Sequence, residues 1–294
     1  MAGVAASRRR AVDGPDNRPL WSVAIVNPRG GRRRETTVSE QVLTTLEGGV
    51  LTITLNRPEK KNAITQAMYA ALAQAVEGAA SDEAVRVLMF RAEGDSFSAG
   101  NDIADFAALG AGGTAPADMP VFRFLKAMAD LDKPAVAAVK GRAVGIGLTL
   151  LLHCDLVVSA EDALLSAPFV NLALTPEAAS SLLLPGVIGH QRAFELFALG
   201  EAVDGRTALA WGLVNRAVPS DQVEAAAAEL ANKLAARAPN SLRKTKALMR
   251  DAEAIWALMQ REGAQFSEQM RSPEAMEAFM AFSQKRAPDF SKRG

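Results

Sequence analysis

The chain has 294 residues, 49% of them hydrophobic, enough to bury one large core or two small ones. Its 33 basic and 33 acidic side chains cancel, so no overall charge draws it to nucleic acid or to an anionic membrane. The single cysteine, Cys154, excludes an internal disulfide and points to a reducing, cytoplasmic setting; lying between His153 and Asp155 in an apolar stretch, it reads as inert.

Residues 1–37 carry Arg8-Arg9-Arg10 and Arg32-Arg33-Arg34 around a stretch rich in Gly, Pro and Asn, and read as a disordered extension. Residues 50–55 alternate with period two, as a half-buried strand does, and a polar loop, 56–62, closes it. Thr65 can cap a helix in which Met68, Leu72 and Val76 share one face. Residues 85–90 form a compact apolar run, the mark of a strand covered on both faces, and 134–139 and 156–159 repeat it. Strands alternating with helices imply βαβ crossovers and a mostly parallel sheet, an α/β fold. Residues 110–120 read as a surface loop and 121–131 as a helix.

The most apolar region, 134–160, is interrupted by Lys140, Arg142, His153 and Asp155, short of the roughly 20 apolar residues that span a membrane. From Glu177 onward strand signals nearly vanish, and helices are predicted at 191–199, 206–211, 221–237, 241–249, 253–270 and 273–286. Such a helical layer packs on its own sheet or covers a neighbouring subunit.

Two glycine turns carry the chemistry: Phe97-Ser98-Ala99-Gly100-Asn101-Asp102-Ile103 and Gly141-Arg142-Ala143-Val144-Gly145-Ile146-Gly147. Each follows a strand-like run, and glycine lets the next amide point into a cavity. Two such amides converging on one point would make an oxyanion hole. A dinucleotide fingerprint is excluded because Leu150 stands where its third glycine belongs, and His153 and His190 lack ligand-like neighbours, so no metal site is expected. Asp102 and Asp155 are expected to satisfy backbone amides near the first and second turns. Thr175-Pro176-Glu177, read alone, starts a helix with Thr175 as cap and Glu177 in the first turn. There the helix would lower the carboxylate pKa unless burial by Phe169, Val170, Leu172, Leu174 and residues 182–184 raised it.

Asn56-Arg57-Pro58, Asn62-Ala63, the two turns, Lys133-Pro134, Cys154-Asp155-Leu156 and Ala210-Trp211-Gly212-Leu213-Val214 occur in an order that resembles the crotonase (enoyl-CoA hydratase/isomerase) superfamily, from about residue 42 to about 290. The resemblance implies a ββα spiral over 38–220, a helical C-terminal oligomerisation region over 221–294, and a homotrimer or hexamer. It implies an acyl-CoA substrate and no separate cofactor. The amides of Asn101 and Ile146 would hold the thioester oxygen. CoA and acyl contacts would fall on Lys61, Ala63, Ala99, Gly100, Asn101, Asp102, Ile103, Gly145 and Lys285.

The two glutamates of the hydratases in this family align with Thr149 and Phe169, neither of which can exchange a proton as an acid–base pair must. Thr175-Pro176-Glu177-Ala178-Ala179-Ser180-Ser181 instead resembles the segment of peroxisomal-type Δ3,Δ2-enoyl-CoA isomerases that bears their one base, from which it departs at Ala178 and Ala179, as the first turn does at Ala99. That resemblance puts the base at Glu177. Another crotonase activity, such as a hydratase with one base, and a non-catalytic acyl-CoA-binding protein remain the alternatives. The chain ends in Ser-Lys-Arg-Gly rather than the peroxisomal Ser-Lys-Leu.

Overall fold

The computed structural model describes residues 34–102, 105 and 119–291. Strands β1 (Arg34–Ser39), β2 (Val42–Glu47) and β3 (Val50–Leu55) form an antiparallel meander. Gly48 and Gly49, both at positive φ, make the two-residue turn between β2 and β3, as a tight hairpin demands. β4 (Val87–Ala92) and β5 (Ala135–Val139) then add in parallel, followed in space by β7 (Leu156–Ala160) and β10 (Arg216–Val218). The seven-stranded order is β1-β2-β3-β4-β5-β7-β10. A second, three-stranded sheet joins β6 (Arg142–Val144), β8 (Leu164–Ser166) and β9 (Val203–Asp204).

The predicted cap is present: the Thr65 hydroxyl accepts from the Met68 amide at 3.2 Å and opens α1 (Gln66–Ser81). Met68, Leu72 and Val76 are wholly buried on its inner face, each worth about 1.5–3 kcal/mol in apolar burial. Buried Lys133 closes the other end, donating to the carbonyls of Ala79 at 2.6 Å and Asp82 at 2.8 Å. α2 (Pro120–Asp130) packs on α1, with Tyr69 and Phe124 ring centroids 5.9 Å apart. After β6 comes a four-residue helix, α3 (Ile146–Thr149), which tightens into a 3-10 turn over Leu150–His153.

Beyond the sheets follow α4 (Ser180–Ile188), α5 (His190–Leu199), α6 (Gly205–Trp211), α7 (Val223–Ala235), α8 (Pro239–Met249), α9 (Ala252–Gln269) and α10 (Pro273–Ser283). The positions of α5 to α10 match the six predicted helices to within a few residues at each end, whereas α4 has no counterpart among them. α7 is no detached tail. Val223, Ala227, Ala231 and Ala235 recur at helical spacing and pack into the same core as β4, β5 and β7, so the helical region begins as a layer of the sheet domain. α9 crosses α2 closely, and a Cβ on Gly263 would meet Phe122 Cζ at 2.5 Å.

Three expectations need correction. β1 starts at Arg34, inside the segment read as an extension to residue 37, because residues 34–37 pair with 43–46 of β2. The strand expected at 85–90 runs two residues later, at 87–92. No helix starts at Thr175; α4 starts at Ser180. Residues 1–33 and most of the loop expected at 110–120 lie outside the described residues. Among the described residues no helix is long and apolar enough to cross a membrane.

Candidate active site

The two glycine turns are braced against each other by main-chain bonds. Ser98 donates its amide to the Arg142 carbonyl and accepts from the Val144 amide, each at 2.9 Å, while the Phe97 amide donates to the Lys140 carbonyl at 2.8 Å. This approach is what requires glycine. A Cβ on Gly141 would sit 1.8 Å from the Asp95 carbonyl oxygen, and one on Gly147 2.9 Å from that of Ser98. Gly100, at φ +95°, would place a Cβ 3.0 Å from the Val144 carbonyl oxygen.

The bracing decides which amides stay open. Residues 100–102 form a parallel bridge with Ile64, which donates to the Gly100 carbonyl at 2.8 Å and accepts from the Asp102 amide at 3.0 Å. Both bonds use the neighbours of Asn101, so its own N–H faces the other way. Ile146 is the first residue of α3, where an amide has no intrahelical partner. Among the described residues neither amide has a hydrogen-bond acceptor. Both residues line one cavity of about 360 Å³, whose walls include Phe169, Leu174, Phe266 and Phe279.

Glu177 lies in the irregular segment before α4 and turns inward. It accepts from the Thr149 hydroxyl at 2.7 Å, at the end of the helix that the second turn opens. Burial raises its pKa to about 7, against the pull of the Thr149 hydrogen bond and helped by the charge of Glu262. The first turn is tied in by Tyr69, whose phenol donates to the Asn101 side-chain oxygen at 2.5 Å. The phenol is held well above its usual pKa by burial and, secondarily, by the Glu177 charge. Glu177 is not itself part of the cavity lining; Thr149, whose amide donates to the Gly145 carbonyl at 2.9 Å, joins it to the second turn, which is.

Thr175 does not cap a helix, and its buried hydroxyl has no hydrogen-bond partner. Ala178 and Ala179 instead take left-handed φ of +59° and +56°, an unusual conformation for residues with a Cβ. Of the expected apolar surroundings, Phe169, Leu174 and Leu184 are buried, whereas Val170 and Leu182 face solvent.

The remaining predicted residues divide between the cavity and its surroundings. Ala99, Gly100 and Gly145 line the cavity with Asn101 and Ile146. Asp102 pairs with Arg57 at 2.7 Å and accepts from the Asp105 amide at 3.1 Å, so it does satisfy an amide at the first turn. The Ala63 carbonyl accepts from Arg57 at 3.0 Å. Exposed Lys61 pairs with Asp95 at 2.5 Å and holds that carboxyl below its ordinary pKa. Ile103 lies outside the described residues. Lys285 is exposed just past α10 and is not in the cavity wall; the neighbouring Arg286 is, and it also pairs with Glu277.

Asp155 serves β5 rather than the second turn, accepting from the Ala135 amide and from buried Lys246, each at 2.8 Å. Burial pushes the Cys154 thiol up to about 12, as expected of an inert cysteine. Among the described residues no three His, Cys, Asp or Glu side chains gather as a metal site. Sequence reasoning missed Tyr69 and Glu262. Glu262 was detectable, because it falls on the α9 stripe of Ile255, Met259 and Gly263, a carboxylate among positions that must face inward.

The enoyl-CoA hydratase/isomerase family profile matches residues 45–293. Enoyl-CoA delta isomerase 2 of Rattus norvegicus is 34% identical over 94% of this chain and 72% of its own. The 2,3-dehydroadipyl-CoA hydratase of Escherichia coli K12 is 32% identical over 83% of this chain and 96% of its own. A crystal structure of an enoyl-CoA hydratase/isomerase from Pseudoalteromonas atlantica T6c superposes with a TM-score of 0.80 at 43% identity, covering 85% of this chain and all of that one. With the braced turns and the mostly parallel sheet, these matches make the chain a member of the enoyl-CoA hydratase/isomerase family, the crotonases.

Proposed function

We propose that the protein is an acyl-CoA isomerase that moves a 3-enoyl-CoA double bond to the 2-position, with Glu177 as its one base. Glu177 takes the proton from C2, and the electron pair passes into a dienolate whose charge rests largely on the thioester oxygen. The amides of Asn101 and Ile146 stabilise that oxygen, each such donor being worth about 3–4 kcal/mol. Glu177 then returns the proton to C4, leaving the double bond between C2 and C3.

One carboxylate suffices because no water has to be activated. The observation that carries the reading is the Thr149–Glu177 hydrogen bond: where a second carboxylate would serve hydration, a hydroxyl orients the one that is present. Burial brings Glu177 near neutrality, where a base accepts and returns a proton with least bias. Exposed Leu182, Val187, Phe194 and Leu199 on α4 and α5 support assembly into a homotrimer or hexamer, which light scattering on the eluting protein would measure.

Mixing the protein with a 3-enoyl-CoA and following the absorbance of the conjugated thioester tests the reaction. Conjugation is expected, and E177Q is expected to lose it by orders of magnitude while still binding CoA esters. Hydration of a 2-enoyl-CoA without conjugation of the 3-enoyl ester overturns the isomerase reading. An unchanged rate in E177Q overturns the base.

A further inference from the structure

The bend that carries Glu177 is gripped from both sides by groups the proton transfer does not use. On its amide side stands Glu262, 4% exposed on α9. One carboxylate oxygen accepts from the Ala179 amide at 2.5 Å; the other accepts from the Ser181 amide at 3.1 Å and from the Ser181 hydroxyl. On its carbonyl side stands buried His153, whose Nε2 lies 2.8 Å from the Ala178 carbonyl. The other ring nitrogen faces the Arg250 guanidinium, which can only donate, so Nε2 bears the hydrogen and donates to Ala178. Burial and the charges of Arg250 and Lys246 hold the His153 pKa at about 3, so the ring is neutral, as this arrangement needs.

These bonds address a local strain. Ala178 and Ala179 are two consecutive non-glycine residues in the left-handed region, a conformation that persists only where its surroundings impose it. Glu262 and His153 both close on this pair, and Glu262 also on Ser181, two residues after it. A carboxylate buried on an apolar helix stripe is costly in itself, which argues for a purpose at this site.

We infer that Glu262 is the positioning residue for the proton-transferring carboxylate: from α9 it clamps the Ala179 and Ser181 amides, fixing the left-handed bend that turns Glu177 towards Thr149. The inference rests on the assignment of Glu177 as base. Glu262 also acts on Glu177 through charge. The titratable groups that face Glu177 are Glu262 from α9 and Tyr69 from α1, while Glu262 itself faces Arg261 on its own helix.

The variant E262Q keeps the length of the side chain, removes its charge and replaces one acceptor oxygen with a donor. Two measurements read the result: the carbon-13 titration of the Glu177 carboxyl, assigned by its loss in E177Q, and kcat with KM on a 3-enoyl-CoA. The Glu177 midpoint is expected to move to lower pH as the neighbouring negative charge disappears. kcat is expected to fall by about tenfold or more, with KM within about twofold, because Glu262 does not line the cavity.

S181A, altered at an exposed site and missing only one donor to Glu262, is expected to lower kcat less, with KM again unmoved. A folded E262Q with unchanged midpoint and kcat overturns the inference, as does an unaltered kcat in S181A should E262Q fail to fold. If the wild-type enzyme does not conjugate 3-enoyl-CoA, the proposed reaction fails, but the carboxyl titration still judges the role of Glu262.

Discussion

The Thr149 hydroxyl donates to a carboxylate oxygen of Glu177 at 2.7 Å. The bond favours the ionised carboxylate and opposes burial, which has the larger effect and leaves the pKa at about 7. T149V keeps the shape and removes the donor, so the Glu177 pKa should rise above this value. The acid limb of kcat/KM against pH should move to higher pH, with about a tenfold loss at fixed acidic pH for each unit moved. A limb that stays in place or moves down in T149V contradicts the role given to this bond.

The same carboxyl couples stability to pH. Its folded pKa of about 7 lies above the ordinary glutamate value of 4.5, so the folded protein binds this proton more tightly than the unfolded chain does. The contribution is fully present below about pH 4.5 and is lost as the pH rises through about 7. E177Q should therefore match the wild type near pH 4 and exceed it near pH 8 by roughly 1–3 kcal/mol, read from denaturant midpoints at the two values. His153 acts in the opposite range: neutral in the fold, it costs stability as the pH falls below about 6.5, where the unfolded chain gains its proton.

Gly100 tests the bracing of the turns. In G100A the new Cβ would press on the Val144 carbonyl at 3.0 Å from a backbone φ of +95°, so the Asn101 amide must shift. Loss of one oxyanion donor costs about 10²–10³ in kcat. A drop of that order is expected, with CoA-ester binding changed far less.

Asp155 tests the link between β5 and α8. Removing it in D155A leaves the Lys246 ammonium, on a side chain 8% exposed, without its anionic partner and frees the Ala135 amide. Breaking a buried pair from one side typically costs about 3–5 kcal/mol, so thermal unfolding should show a melting temperature lower by several degrees. K246M should cost less, because Asp155 keeps the Ala135 amide.

Much of this architecture was legible in the residues. α7 and α10 fell close to their expected positions because their inner faces repeat at helical spacing and their ends carry punctuation, as Ser272-Pro273 does for α10. β6, β9 and β10 were not legible: at two or three residues each, they are too short to show a period. Glycine placement pointed to inward-facing amides at the two turns, and the family resemblance narrowed them to Asn101 and Ile146. The setting of Glu177 did not. Thr175-Pro176-Glu177 has the local chemistry of a helix start, and the groups that override it are distant in the chain; Glu262 reaches Ala179 across 83 residues. Nor does any spacing bring Tyr69 to Asn101, 32 residues on, since that contact is made by packing.

Gly100 against Val144 and Gly147 against Ser98 have one more implication, which concerns change over generations. The separation of the open Asn101 and Ile146 amides is set by peptide atoms that every amino acid possesses, so side-chain replacement elsewhere leaves that gauge alone. The aromatic walls come from other segments, Phe169 from the loop after β8 and Phe279 from α10, and are free to be recarved. A lineage built this way can reshape the cavity wall while the pair of open amides stays in place.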